Sequence, residues 1–189
     1  MAPRFPLDRA PDPATRHTLE TQMNMLHSGR LPVMAEDRSE MLGWCAPLSY
    51  APDNVVRAFM DLSKVSFQPQ HAKPRNRKLA VTAFISVTQI PYMRHCHLII
   101  GEADLGFSAD QLRDALAGTM PEGLNDEEQA AYNFGKLLAT QRDPIKDQIW
   151  EEFAGKLQKS EIVGITNFVG VYQWLALLTQ LNGEDDRWN

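Results

Sequence analysis

Apolar and polar positions alternate along this chain with helical rather than strand-like spacing. In residues 53–63, Val55, Phe59 and Leu62 recur at steps of four and three with Val56 and Met60 alongside, the stripe of an amphipathic helix. Residues 12–27 are helix-compatible and end at Ser28-Gly29. They follow a proline-rich lead, so residues 1–30 read as an arm that packs on the body or on another subunit. Residues 30–37 are a connection, 39–44 read as a short helix, and 67–76 form a polar loop punctuated by proline. From 77 to 89 the β-branched content leaves strand and buried helix equally open on periodicity, and the helical context decides for helix.

Local stop and start signals place the remaining elements. Pro91 suits a first helical position, where its missing N–H costs nothing, and the helix it opens runs to about Asp104 before Gly106 stops it, forming a tight hairpin with 77–89. Ser108 with Gln111 is a capping box, and Phe107 with Leu112 fits a hydrophobic staple, which starts a helix over 109–118. Asn125 caps a helix to about Thr140 whose first turn holds Asp126, Glu127 and Glu128 at the positive end of the dipole. Asp143-Pro144 restarts a helix to Leu157, and Ser160 caps a last one that is apolar nearly all round, as a central or interfacial helix would be. Residues 183–189 are an acidic, peripheral tail. The expected fold class is all-α, with one domain over residues 31–182.

Composition narrows the classes. With 43% hydrophobic and 23% charged residues over 189 positions, a packed core is expected. The net charge of −5 comes without a basic run, so nucleic acid is not an expected partner. Prolines and Asp8 interrupt the first residues and no apolar core follows them, so no signal peptide is expected. The charge-free stretch 162–181 is broken by glycines, threonines, asparagine and glutamines, and reads as a buried helix rather than a membrane span. Two cysteines, Cys45 and Cys96, lie outside any CxxC or zinc-finger spacing and are expected to be reduced, in keeping with a cytoplasmic protein.

The stretch 74–108, PRNRKLAVTAFISVTQIPYMRHCHLIIGEADLGFS, resembles the signature of the carboxymuconolactone decarboxylase and alkylhydroperoxidase D family. Pro91-Tyr92, His97 and Gly106-Phe107-Ser108 follow the layout in which that family's Cys-Pro-Tyr-Cys segment, histidine and Gly-Leu-Ser succeed one another. Gly29-Arg30-Leu31-Pro32, the run 123–128, Ser160-Glu161-Ile162-Val163, and Gly170-Val171-Tyr172 with Leu175 are similar to further stretches of the family in the same order. The resemblance implies an alkylhydroperoxidase D-like helical bundle that assembles as a dimer, trimer or hexamer. It departs where the family's redox chemistry resides. Ile90 and Met93 stand at the two cysteine positions, and Lys78 stands at the glutamate. Neither a thioether nor an aliphatic chain supplies an attacking thiolate, which sets CxxC peroxide reduction aside.

The candidate site centres on His97, whose imidazole titrates near neutral pH and could act as general acid or base. Helical offsets put Met93, Arg94, Gly101 and Asp104 on its face. Arg94 could clamp a carboxylate, Tyr92 could offer its phenol to an oxyanion, Lys78 could supply a cation, and Trp44 with Met93, Met41 and Met60 an apolar wall. Each also has a structural reading: a hydrogen-bonded core histidine, a surface ion pair, a tyrosine on a backbone carbonyl, a snorkelling lysine, ordinary core packing. His95 and His97 point about 200° apart on a helix and cannot share one metal from it, so neither metal nor cofactor is expected. The leading expectation is a cofactor-independent decarboxylase or proton-transfer isomerase or lyase, acting on a small organic acid, lactone or polycyclic metabolite. The alternatives are a peroxide-reactive thiol oxidoreductase using Cys96 or Cys45, and a non-catalytic binding or assembly module.

Overall fold

The computed structural model describes residues 3–100, 105–183 and 186–188. These residues form helices α1 (Pro13–His27), α2 (Cys45–Leu48), α3 (Asp53–Ser66), α4 (Pro74–Thr88), α5 (Pro91–Ile100), α6 (Ala109–Ala117), α7 (Asp126–Thr140), α8 (Asp147–Ala154) and α9 (Lys159–Asn182), with single 3-10 turns at Leu7–Arg9 and Asp186–Trp188. Among them there is no strand, only two isolated bridges, Pro6 with Glu40 and Met34 with Met41. The all-α class is therefore correct. The chain divides into two compact units, one of residues 1–63, 90–100 and 174–189, the other of 64–89 and 101–173.

The first unit gathers α1, α2, most of α3, α5 and the end of α9. Asp12 caps α1 by accepting from the Ala14 N–H at 2.8 Å, with Pro13 in the first turn. Two buried threonines of α1 reach outward, Thr15 to the Ala51 carbonyl at 3.0 Å and Thr18 to Asp53 at 2.6 Å. The lead before α1 is tied to the same unit, since the Leu7 N–H donates to the Ser39 carbonyl at 2.9 Å and the Tyr50 hydroxyl to that of Pro6 at 2.6 Å. This pairing explains why residues 39–44 are not the short helix expected. Glu40 and Met41 are held extended by the bridges, and Gly43 turns at φ +55°, so the helix begins only at Cys45 and takes Pro47 within it.

The second unit is organised by α4, where every residue from Asn76 to Ser86 is buried. α4 begins at Pro74, three residues earlier than expected, because proline that looked like loop punctuation fills the first helical position. Gly135 of α7 lies against the α4 backbone so closely that a Cβ there would overlap the Ala80 carbonyl oxygen. The expected capping box of Ser108 with Gln111 forms, and the Asn125 cap proves to be a second box, closed by Glu128. Phe107 and Leu112 are buried in one cluster with Leu79, Ala83, Ala115, Leu124 and Tyr132. α8 is shorter than expected. Before it, Gln141 donates to the Asp143 carbonyl and Arg142 to those of Gln141 and Ala139, giving the backbone a local alternative to helix. The long α9 is apolar enough by length and composition to cross a membrane, and 56% of its most apolar window is buried in the protein.

Candidate functional site

In the first unit all the candidate residues but Trp44, which precedes α2, fall on α5. After Pro91, the side chains of Tyr92, Met93, Cys96 and His97 are buried, and this set defines the inward face. His97 is 4% exposed and Met93 3%, one turn apart as the helical spacing requires. Arg94 was expected on that face, but it is exposed with its neighbours Leu98 and Ile99. The offset of three from His97 turned it the wrong way, because the buried stripe passes through 92/93 and 96/97 rather than 93/94 and 97. Gly101 and Asp104, expected to complete the face, lie outside the described residues, as does the expected end of the helix.

Tyr92 is the most tightly held of the group. It is 2% exposed, its hydroxyl donates to the Pro32 carbonyl at 3.0 Å, and its ring fills the space that a side chain at position 43 would need. The ring of Trp188 meets it edge-on at 5.2 Å and lies 4.8 Å from the ring of His95. Burial pushes the Tyr92 phenol well above its ordinary range. The same cause pushes the Cys96 thiol, one turn along, up to about 12. Cys45 is raised by burial and by the neighbouring Cys96, so two cysteines 51 positions apart (96 − 45) share one buried surrounding. A thiol held above its usual range stays protonated at neutral pH and is a poor nucleophile. Trp44, also buried, packs edge-on against Phe59 at 5.8 Å, and Phe59 in turn against Trp174 at 4.6 Å, which is an aromatic wall of the kind expected and also an ordinary core contact.

Lys78 belongs to the second unit, on α4, and is only 9% exposed. It does not snorkel into solvent, and loss of water around its ammonium lowers its pKa to about 8. Next to it Arg77 is buried too, donating to the Gln68 and Ala72 carbonyls at 2.9 and 3.0 Å beside the rings of Phe67 and Phe168, while its Nε has no hydrogen-bond partner. That guanidinium fastens the loop before α4.

A cleft of about 420 Å³ opens in the second unit, lined by Lys73, Pro74, Arg75, Asn76, Leu105, Asn125, Glu127 and Glu128. None of these residues was singled out as a site residue from sequence. Lys73 pairs with Glu127 at 2.7 Å, and the Asn76 amide donates to Glu127 and Glu161 at 2.8 and 2.9 Å. Arg75 bonds Glu128 and the Leu105 carbonyl, both at 2.5 Å, with its guanidinium over Phe107 at 4.1 Å. The Lys73 ammonium holds the Glu127 carboxyl below its usual range. The acidic run expected to be a solvated helix start is therefore half engaged, since Glu128 is 8% exposed. The signal available in the sequence was the facing charge of Lys73 and Arg75, which has no local spacing to reveal it. These charges neutralise one another and make the cleft a fastened junction rather than a reactive centre. Among the described residues no group of three or more histidine, cysteine, aspartate or glutamate side chains is arranged to hold a metal ion.

Comparison with known proteins finds no matching family model, no matching curated protein and no matching solved structure.

Proposed function

We propose that this chain is a cofactor-independent enzyme with an alkylhydroperoxidase D-like helical fold, a decarboxylase or proton-transfer isomerase or lyase acting on a small organic acid, lactone or polycyclic metabolite. The observation that carries the reading is the burial of His97, 4% exposed, on the face of α5 that also buries Met93. A histidine withdrawn from water can pass a proton to or from a bound acid without competition from solvent. In this reading His97 is the general acid or base, with Met93 and Trp44 as apolar surface. Tyr92 serves to position the helix, since its hydroxyl is committed to the Pro32 carbonyl. The exposed Arg94 favours approach of an anionic substrate. The raised thiols of Cys45 and Cys96 weigh against a thiol oxidoreductase.

The reading extends to a cytoplasmic homo-oligomer. Free buried cysteines support a reducing compartment, and the exposed Met25, Leu62, Leu177 and Leu181 offer apolar surface for assembly.

The test is turnover of a panel of organic acids and lactones, followed by carbon dioxide release and loss of lactone absorbance. His97→Ala and His97→Gln are each expected to lose roughly 100-fold or more while keeping the helical circular dichroism of the parent. Parental turnover in both variants overturns the assignment. A second reading, a non-catalytic binding or assembly module, is favoured by one observation, the close packing of Tyr92 against Gly43 and Pro32. Self-association without turnover of any panel member would select it.

A further inference from the structure

α9 runs unbroken from Lys159 to Asn182, and Val163, Thr166, Asn167, Gly170, Leu177 and Leu181 form an exposed stripe along it. No side chain from 162 to 181 is charged. A surface helix ordinarily turns charged residues to water. This one turns out Val163 and Leu177, at 57% and 51% exposure.

Gly170 stands in the middle of the stripe. Glycine inside a helix destabilises it relative to alanine, and is kept where the backbone is left-handed or where another backbone approaches closely. The backbone at 170 is helical, and a Cβ there would meet nothing outside its own helix within 4 Å among the described residues. Gly164, two turns earlier, differs: a Cβ there would overlap the His71 carbonyl oxygen. The approach that suits a glycine at 170 therefore comes from outside the chain. The stripe is also self-complementary about this residue. Val163 and Leu177 lie seven residues to either side of it (170 − 163 and 177 − 170), so an antiparallel copy of α9 crossing at Gly170 sets Val163 against Leu177 of the partner subunit. Such a pairing, in which one residue meets a second and the second meets the first, is an isologous contact. Asn167 and Gln173 flank the crossing, and their amides hold no hydrogen bond among the described residues, which leaves donors and acceptors for the partner. A bilayer suits the stripe less well, because these amides lie at its centre and the net charge of −5 opposes an anionic lipid surface.

We infer that the exposed stripe of α9, centred on Gly170, is a twofold contact through which two copies of this chain associate. This rests on the homo-oligomer reading above and gives that assembly its surface. The full chain is examined by sedimentation over graded concentrations, where the parent is expected as a dimer or a higher even assembly. Gly170→Glu and Leu177→Lys are each expected to raise the dissociation constant roughly 30-fold or more, the size of a central contact, and to keep the helical circular dichroism of the parent. A second measurement reads the register. Val163→Cys/Leu177→Cys, oxidised with copper phenanthroline, is expected to form disulfide-linked dimers. Each single variant is expected to form none, because like positions of the two chains lie about 21 Å apart along the helix, and the native Cys45 and Cys96 are buried. Parental dissociation in both charge variants, or no link in an assembled double variant, overturns the α9 contact and leaves the homo-oligomer reading standing. A parent that is monomeric at every concentration overturns both, and its flotation with phosphatidylcholine–phosphatidylglycerol vesicles would assign the stripe to a membrane instead.

Discussion

At the scale of single residues, Lys78 is the side chain whose surroundings conflict most with its chemistry. Lys78 is 9% exposed as a residue, and the fall to about 8 that burial imposes on its ammonium is a statement about folding as well as titration. Below pH 8 the lysine is charged in both folded and unfolded chains, and folding bears the full burial penalty. Between pH 8 and the unfolded value near 10.5 the unfolded chain binds more protons, so stability rises with pH through this group. The thiols of Cys45 and Cys96 and the phenol of Tyr92 act the other way. They are raised in the folded chain, so their contribution falls once pH passes the unfolded thiol value of 9.0. The window from pH 8 to 9 is the one in which Lys78 dominates these shifts. Lys78→Met is expected to stabilise the protein by about 1–2 kcal/mol at pH 7 and to flatten the rise between pH 8 and 9, both read from urea midpoints. A destabilised variant would mean that the ammonium is held by interactions stronger than its desolvation.

At the scale of elements, the two capping boxes offer a comparison. Ser108 and Asn125 each accept from the N–H three residues on, at 3.1 and 2.9 Å, and Gln111 and Glu128 reciprocate. Gln111 and Glu128 differ in what else they hold. Gln111 donates to the Glu122 carbonyl at the surface, whereas Glu128 is buried and also takes the guanidinium of Arg75. Ser108→Ala should cost about 0.5–1 kcal/mol, the ordinary loss of a cap. Asn125→Ala should cost about 1–2 kcal/mol, because a loosened first turn of α7 also shifts the carboxylate that Arg75 needs. Equal costs in chemical denaturation would show that the Arg75–Glu128 pair is insensitive to the cap. Boxes of this kind are legible in sequence because donor and acceptor lie within four residues. The pairing of Glu40 and Met41 with Pro6 and Met34 is not, since a helical offset pattern in 39–44 says nothing about a partner elsewhere in the chain.

At the scale of the whole molecule, Cys45 and Cys96 report on global opening. Both are buried and both thiols are raised, so reagents that need a thiolate should find neither in the folded protein. Dithionitrobenzoate at pH 7.5 is expected to leave both unreacted over hours and to label both on addition of unfolding concentrations of urea. Rapid labelling of either in native buffer would revive thiol chemistry as a reading. The all-α class and the caps of α6 and α7 were legible because each follows from periodicity or a short local pattern. The exposure of Arg94 was not, since one helical step decides which side of a stripe a residue joins. The burial of Lys78 was not either, because a long charged side chain on an apolar helix ordinarily reaches solvent. The Lys73, Arg75, Glu127 and Glu128 junction was hidden for a different reason. Its partners are more than 50 positions apart, as Lys73 and Glu127 are by 54.

The contact of Gly135 with the backbone at Ala80 has a consequence for the rest of α4. A missing methyl group sets the spacing between two helices here, and Asn76, Arg77 and Lys78 lie on the helix so spaced. Position 135 therefore works as a gauge block: any larger residue there would displace the whole register of α4 side chains together, without touching one of them.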